Sequence, residues 1–160
     1  MSERDSLLQR LDSVERQLAA LAATPVSADA RTDADPGTGE RWDAGQVWAH
    51  LAEFVPYWVD QSRAVIAAYS DEPVPFGRTK TDSARIAAIE RDRVLSIAVL
   101  WSQTLSDIES ARRFIETLDD TALGARGVHP TMGVMTAAGI LDEFVATHLE
   151  QHAAQLEQLR

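Results

Sequence analysis

Two histidines four residues apart, His148 and His152, are the residues of this chain best suited to bind a metal ion. In a helix, positions i and i+4 lie on one face, one turn apart. Both histidines continue an apolar stripe at helical spacing, where Ile or Leu would be the ordinary choice. The other members of the stripe are Leu141, Phe144, Val145, Leu156 and Leu159. Two imidazoles that point into a helical core can converge on one metal ion, and His50, in another helical stretch, is a candidate third ligand.

A metal site has to be weighed against simpler roles for these histidines. A core histidine is usually satisfied by a backbone carbonyl or a water molecule, and i,i+4 pairs also occur on solvated faces. His50 lies at the edge of its own apolar stripe, so a rim histidine hydrogen-bonded to Glu53 is an alternative. Leaving a buried polar group unpaired costs roughly 1–3 kcal/mol, a large part of a typical stability of roughly 5–15 kcal/mol when three groups are involved. Because one metal ion would pair all three imidazoles, their location favours a metal site.

Two well-known kinds of metal site do not match the residues around these histidines. A zincin needs H-E-x-x-H, but Glu150 is the middle residue of H-x-E-x-H and points about 200° away from His148. Ferritin-like di-iron sites need paired Glu-x-x-His motifs, and the residues three before each histidine here are apolar. What remains is a mononuclear three-histidine site with exchangeable positions, which suits zinc, nickel, copper or iron. On this interpretation Glu53 and Glu150 are rim charges.

Composition limits the classes of function. A length of 160 residues fits a single domain, residues 1–160. The formal net charge of -10 argues against a nucleic-acid partner and against an anionic membrane surface, because both need a basic face. The chain has no signal-peptide pattern and no apolar run long enough to span a membrane, so we expect a cytoplasmic location. It contains no cysteine, so any thiol chemistry must use a small-molecule thiol.

Four amphipathic segments carry a helical period and predict a four-helix bundle. They cover about residues 6–22, 43–69, 83–118 and 136–160. Asp43 is the predicted N-cap of the second segment, with Gln46 completing a capping box, and Thr136 is the predicted N-cap of the fourth. Pro56 predicts a kink or a local break in the second segment. Strand signals are nearly absent.

The polar, breaker-rich stretch of about residues 23–41 separates the first two helical segments. A link of that length without regular structure is uncommon in a compact domain. It is either a mobile loop or a flap over a site, and its composition favours a mobile loop.

Two motifs resemble those of a known family. Residues 42–52, W-D-A-G-Q-V-W-A-H-L-A, resemble the W-S-x-x-x-V-x-x-H-L opening of DinB-like proteins, with Asp43 in place of the usual Ser. Residues 133–136 followed by 144–152 resemble their closing G-x-x-T…H-x-x-x-H segment. With both motifs in order, the resemblance covers about residues 6–159.

The resemblance implies a fold and a cofactor. The fold would be an all-α, up-down-down-up four-helix bundle, often a homodimer. The cofactor would be a divalent metal, commonly zinc or nickel, held by the residues at His50, His148 and His152. The resemblance is to the DinB-like superfamily and not to the DNA polymerase that shares its name.

Some members of the family that these motifs resemble are thiol-dependent enzymes. Among them are mycothiol-dependent maleylpyruvate isomerase and bacillithiol or mycothiol S-transferases. The resemblance therefore implies a transferase or isomerase that joins a mycothiol-type thiol to a small-molecule electrophile. Substrate anions could be held by Arg78, Arg85 or Arg126, and His129 could be a fourth ligand, a substrate contact or a loop-packing residue. The alternative is a non-catalytic bundle that binds a metal or small molecule, or dimerises.

Overall fold

Four long helical segments form the body of the protein in a computed structural model that describes all 160 residues. Helix α1 spans Glu3–Ala22 and helix α2 spans Ala44–Ala68. Helix α4 spans Ile97–Glu116. The fourth segment, here called the C-terminal helix, runs over residues 137–158 and consists of α6 (Ala137–Leu141), a π-helical segment (Asp142–Thr147) and α7 (His148–Gln158).

Side-chain caps start these helices where the sequence predicts them. The Asp43 carboxylate accepts a hydrogen bond from the Gln46 amide at 2.8 Å, and the Gln46 side chain accepts one from the Asp43 amide at 3.0 Å. Thr136 caps the C-terminal helix in the same way, through the amide of Gly139. Each cap satisfies backbone donors that a helix start leaves unpaired. Both predicted N-caps are confirmed.

The four segments bury their apolar stripes against one another. Helix α1 packs on α4 and on the C-terminal helix, and α2 packs on the same two neighbours, so α1 and α2 lie at opposite corners of the bundle. One continuous core results, and among its fully buried side chains are Leu11, Leu18, Trp48, Phe54, Ile108, Leu141 and Leu149. The predicted all-α, up-down-down-up four-helix bundle is confirmed.

The prediction of one continuous third helix over about residues 83–118 is wrong. The chain forms a short helix α3, Ser83–Asp92, and then turns before α4 begins. Ser96 caps α4 by accepting a hydrogen bond from the Val99 amide, which gives α4 its own start. Val94, in the predicted stripe, is 82% exposed and contributes nothing to the core. Only α4 is therefore a bundle helix from this region.

A small sheet was not predicted and lies at one side of the bundle. Strand β1, Val74–Pro75, pairs in parallel with β2, Arg126–His129, which pairs antiparallel with β3, Gly133–Thr136. These strands are too short for a periodic signal in the sequence. The tight β2–β3 turn ends at Gly133, whose φ of 74° is a conformation that favours glycine.

Helix α2 runs without interruption through Pro56, so the local break predicted there is absent and only a kink within a continuous helix remains as a prediction. A short helix α5, Asp120–Leu123, links α4 to the sheet. None of the helices combines the length and the apolarity required to cross a lipid bilayer.

Candidate metal centre

The structure brings the three predicted histidines together in the interior of the bundle. His50 is on α2, while His148 and His152 occupy the first two turns of α7. The Nε2 atom of His148 lies 3.0 Å from Nε2 of His50 and 3.1 Å from Nε2 of His152. One nitrogen from each ring falls within 4.8 Å of the other two, and no other group of His, Asp and Glu side chains converges in this way.

These separations fit nitrogen ligands of one metal ion. Bonds of about 2.0–2.1 Å place the nitrogens of a tetrahedral zinc site roughly 3.3 Å apart, and a right-angled arrangement places them at about 2.9 Å. The observed 3.0 and 3.1 Å lie between these two values. Small ring movements would therefore accommodate either geometry.

Hydrogen bonds on the far side of two rings determine which nitrogens are free to ligate. The Nδ1–H group of His50 donates to a carboxylate oxygen of Glu53 at 2.8 Å, and that of His152 donates to the amide oxygen of Gln155 at 2.6 Å. Each ring then presents a lone pair at Nε2. Because a single proton on His148 Nε2 can pair with only one of those two lone pairs, a shared cation satisfies the cluster better than hydrogen bonds do.

The environment also keeps the three imidazoles neutral, which is the form that binds metals. Burial lowers the pKa of His50 and His148 well below the usual histidine range, and the neighbouring histidines lower both further. Burial likewise lowers the pKa of His152 to about 4, although the hydrogen bond to Gln155 opposes that shift. All three rings are therefore unprotonated and available as ligands near neutral pH.

Glu53 is not the rim charge that the sequence interpretation made it. Its side chain is only 9% exposed, and it bridges His50 to the guanidinium of Arg78 through an ion pair. Burial raises the pKa of Glu53, and the Arg78 partner opposes that effect. A carboxylate that accepts the Nδ1 proton of a ligating histidine orients the ring and increases its basicity. Glu53 is thus a supporting residue of the site, and its i,i+3 spacing from His50 was the available signal.

Glu150 does lie outside the site, as expected. It forms an ion pair with Arg10 of α1, with nitrogen–oxygen distances of 2.7 and 2.8 Å. The same guanidinium donates to Thr147. This contact ties α1 to α7 on the surface of the bundle and leaves Glu150 without a role at the histidines.

His129 does not join the histidine cluster, so its loop-packing role is the one that the structure supports. Its Nε2 atom donates to the Arg78 carbonyl oxygen at 3.1 Å, and its Nδ1 atom accepts from the Thr131 amide at 3.2 Å. The ring packs 5.0 Å from that of Phe144. His129 therefore anchors the segment that carries Arg78, and of its three possible roles that of a fourth ligand does not fit the structure.

A pocket of about 600 Å³ opens over the histidines, and polar side chains line most of it. Its outer wall is the loop of residues 32–42, which closes on itself through two bonds between Thr32 and Trp42 at 2.8 and 2.9 Å. The Trp42 ring lies parallel to that of His152, with centroids 6.2 Å apart. The loop thus lies against the site in this structure, and its mobility stays a prediction. The rest of the lining comprises His50, Lys80, Arg85, His148, Gln151, His152, Gln155 and Gln158.

A π-helical segment, Asp142–Thr147, immediately precedes the ligand pair. Such segments are rare and often occur at functional sites, because one extra residue per turn rotates the side chains that follow. Here the segment lies between α6 and α7, and His148, the residue that follows it, faces His50 of α2.

Comparisons with known proteins place the chain in a family. The model of the DinB superfamily matches residues 2–156, so the chain belongs to that superfamily. No curated protein matches the sequence.

Two solved structures are similar in fold. YfiT from Bacillus subtilis, described as a probable metal-dependent hydrolase with an unusual four-helix bundle topology, has a TM-score of 0.77 at 17% identity, covering 99% of this chain and 87% of YfiT. A mycothiol-dependent maleylpyruvate isomerase has a TM-score of 0.71 at 11% identity, covering 96% of this chain but only 60% of the isomerase. At these identities the likeness concerns the fold.

Proposed function

We propose that this chain is a divalent-metal-dependent enzyme that transfers a low-molecular-weight thiol of the mycothiol type to an electrophile, or uses that thiol in an isomerisation. His50, His148 and His152 are the ligands in this proposal, and zinc or nickel is the metal. The observation that carries it is the convergence of three neutral imidazole nitrogens at the floor of an open pocket. The fold shared with a mycothiol-dependent isomerase supports the thiol.

The chain's own residues have distinct roles in this proposal. A bound divalent cation would favour the thiolate over the thiol at neutral pH. Glu53 and Gln155 hold the Nδ1 protons of two ligands, so that both rings keep their orientation. The loop of residues 32–42 forms one wall of the pocket beside the histidines. Because the chain has no cysteine, the sulfur must come from the cosubstrate.

A second candidate function is hydrolysis by a metal-activated water molecule. Its support is the similarity to YfiT, which covers nearly all of both chains, whereas the isomerase has a large part without a counterpart here. The third candidate is the non-catalytic module, in which the ion only stiffens the bundle. A cytoplasmic location and a homodimer complete the proposal.

Cobalt(II)-loaded protein distinguishes these candidates, because a sulfur ligand adds a strong charge-transfer band to the cobalt spectrum. We expect titration with the neutral thiol 3-mercaptopropan-1-ol to produce that band at one equivalent of cobalt. A spectrum that ignores the thiol but changes with pH, as a bound water ionises, would favour the hydrolase. A spectrum that responds neither to the thiol nor to pH would favour the non-catalytic module.

A further inference from the structure

We propose that Arg85 is the anion anchor of this pocket, so that the small molecule bound beside the metal carries a carboxylate or another compact anionic group. The inference rests on the proposed function and defines the charge of its substrate. Arg85 extends from α3, the element that sequence reasoning merged with α4, and lines the pocket over the histidines.

The guanidinium of Arg85 is the pocket cation without a carboxylate partner. Its only hydrogen bond goes from Nη1 to the Lys80 carbonyl oxygen at 2.9 Å, and no carboxylate oxygen lies within ion-pair distance. A guanidinium has five N–H donors in a rigid fork that matches two carboxylate oxygens. Most of the donors of Arg85 are therefore free to meet a ligand.

The other cation of the pocket is already neutralised. Lys80 forms an ion pair with Asp35 at 2.9 Å, and Asp35 also accepts the amides of Gly37 and Thr38. Asp35 is therefore occupied by Lys80 and by the loop. The three pocket carboxylates, Asp33, Asp35 and Glu40, exceed the two pocket cations, Lys80 and Arg85, by one charge, which a bound divalent ion would more than reverse.

The two other candidate arginines are committed elsewhere. Arg78 pairs with Glu53 and stacks 3.8 Å above the ring of Tyr57. Arg126 donates to the Tyr69 hydroxyl and the Asp71 carbonyl oxygen, next to the small sheet and outside the pocket.

Arg85 is also close to the ligands. Its guanidinium carbon lies 5.6 Å from the ring centre of Trp42, and the same ring contacts the imidazoles of His50 and His152. One aromatic side chain thus touches both the cation and the metal ligands. Burial lowers the pKa of Arg85, and the Glu53 carboxylate opposes that shift only from beyond hydrogen-bond distance.

The test compares matched thiols on cobalt-loaded protein at constant ionic strength. The probes are the acids mercaptoacetate, 3-mercaptopropionate and 4-mercaptobutyrate, each beside the alcohol of the same length. We expect at least one acid to bind about tenfold or more tightly than its alcohol, since hydrogen bonds to a charged group are worth that factor. The Arg85→Gln variant should lose this preference and keep its affinity for the alcohols. Arg91→Gln, which removes an exposed charge from the same helix, should keep it.

Several outcomes would overturn the inference. These are equal binding of acids and alcohols by the wild type, a preference that survives in Arg85→Gln, and a preference lost in Lys80→Gln instead. If no thiol perturbs the cobalt spectrum, the thiol proposal itself fails. The anion site is then tested by comparing the affinities of imidazole-4-acetate and 4-methylimidazole for the cobalt-loaded protein. Both can fill an open coordination position of the metal through a ring nitrogen. Failure of both of these to bind would overturn the inference as well, because the pocket would offer the metal no open position.

Discussion

At the scale of the residue, Glu53 and Gln155 hold the Nδ1 protons of two of the three clustered histidines. Glu53 accepts the Nδ1 proton of His50 while its other oxygen meets Arg78, and His129 fixes the Arg78 backbone. This chain of contacts connects the small sheet to the candidate metal centre. Its links to Arg78 and His129 could not be predicted from the sequence, because those two residues come from segments distant from His50, whereas His148 and His152 share helical spacing.

Replacing Glu53 with Gln should weaken metal binding by about 10–100-fold, the usual effect of removing an outer-shell partner. The neutral amide orients His50 less strongly and leaves Arg78 with only its longer ion pair to Asp82, at 3.9 Å. Competition with a chromophoric chelator at pH 7.5 measures the change on folded protein. Glu150→Gln is the matched control and should bind metal as the wild type does, since Glu150 pairs with Arg10. Equal affinities of the two variants would show that Glu53 has no supporting role.

Replacing His148 with Ala should abolish stoichiometric metal binding, because Nε2 of this ring lies between the other two. Equilibrium dialysis against zinc measures the bound fraction. A variant that still holds a full equivalent would mean that the ligand set is wrong.

At the scale of the element, the helices and their caps could be predicted from the sequence, but some of the boundaries between elements could not. The α3–α4 junction was missed because Ile89 and Val94 continue an apolar spacing, although Ser96 offered a capping signal. The π-helical segment was missed because its residues keep the same stripe. The composition favoured a mobile loop over a flap, because the contacts that hold the loop of residues 32–42, such as Lys80 with Asp35, join residues distant in the sequence.

The cap of α2 makes a prediction at this scale. Asp43→Ala should lower the free energy of unfolding by about 1 kcal/mol, because the Gln46 amide loses its acceptor. Asp43→Ser keeps a capping oxygen and should lose less. Urea unfolding of metal-free protein measures both. If the Ala variant is no less stable than the Ser variant, the cap contributes nothing.

At the scale of the whole molecule, burying neutral histidines couples folding to pH. In the unfolded chain a histidine has a pKa of about 6.5, whereas burial lowers that of His152 to about 4. Below pH 6.5 the unfolded chain therefore binds protons that the folded chain does not. Stability is full above about pH 6.5 and falls as the pH drops towards 4.

We expect metal-free protein to lose about 3 kcal/mol through His152 alone over that range. Urea unfolding at pH 7, 5.5 and 4.5 in the presence of chelator measures the loss, and His152→Asn should show a shallower dependence. Asp107, with its pKa raised to about 6 by burial and by Asp60, acts in the opposite sense but equally in both proteins. Identical pH dependence of wild type and variant would contradict a buried neutral His152.

Elemental analysis of untagged protein purified without chelator, beside its His50→Ala variant, is the direct test of the three-histidine metal site. We expect one divalent metal per chain in the wild type and a loss of that metal in the variant, with the helical content of both unchanged. A folded wild-type protein without metal, or a variant that retains a full equivalent, would contradict the three-histidine site.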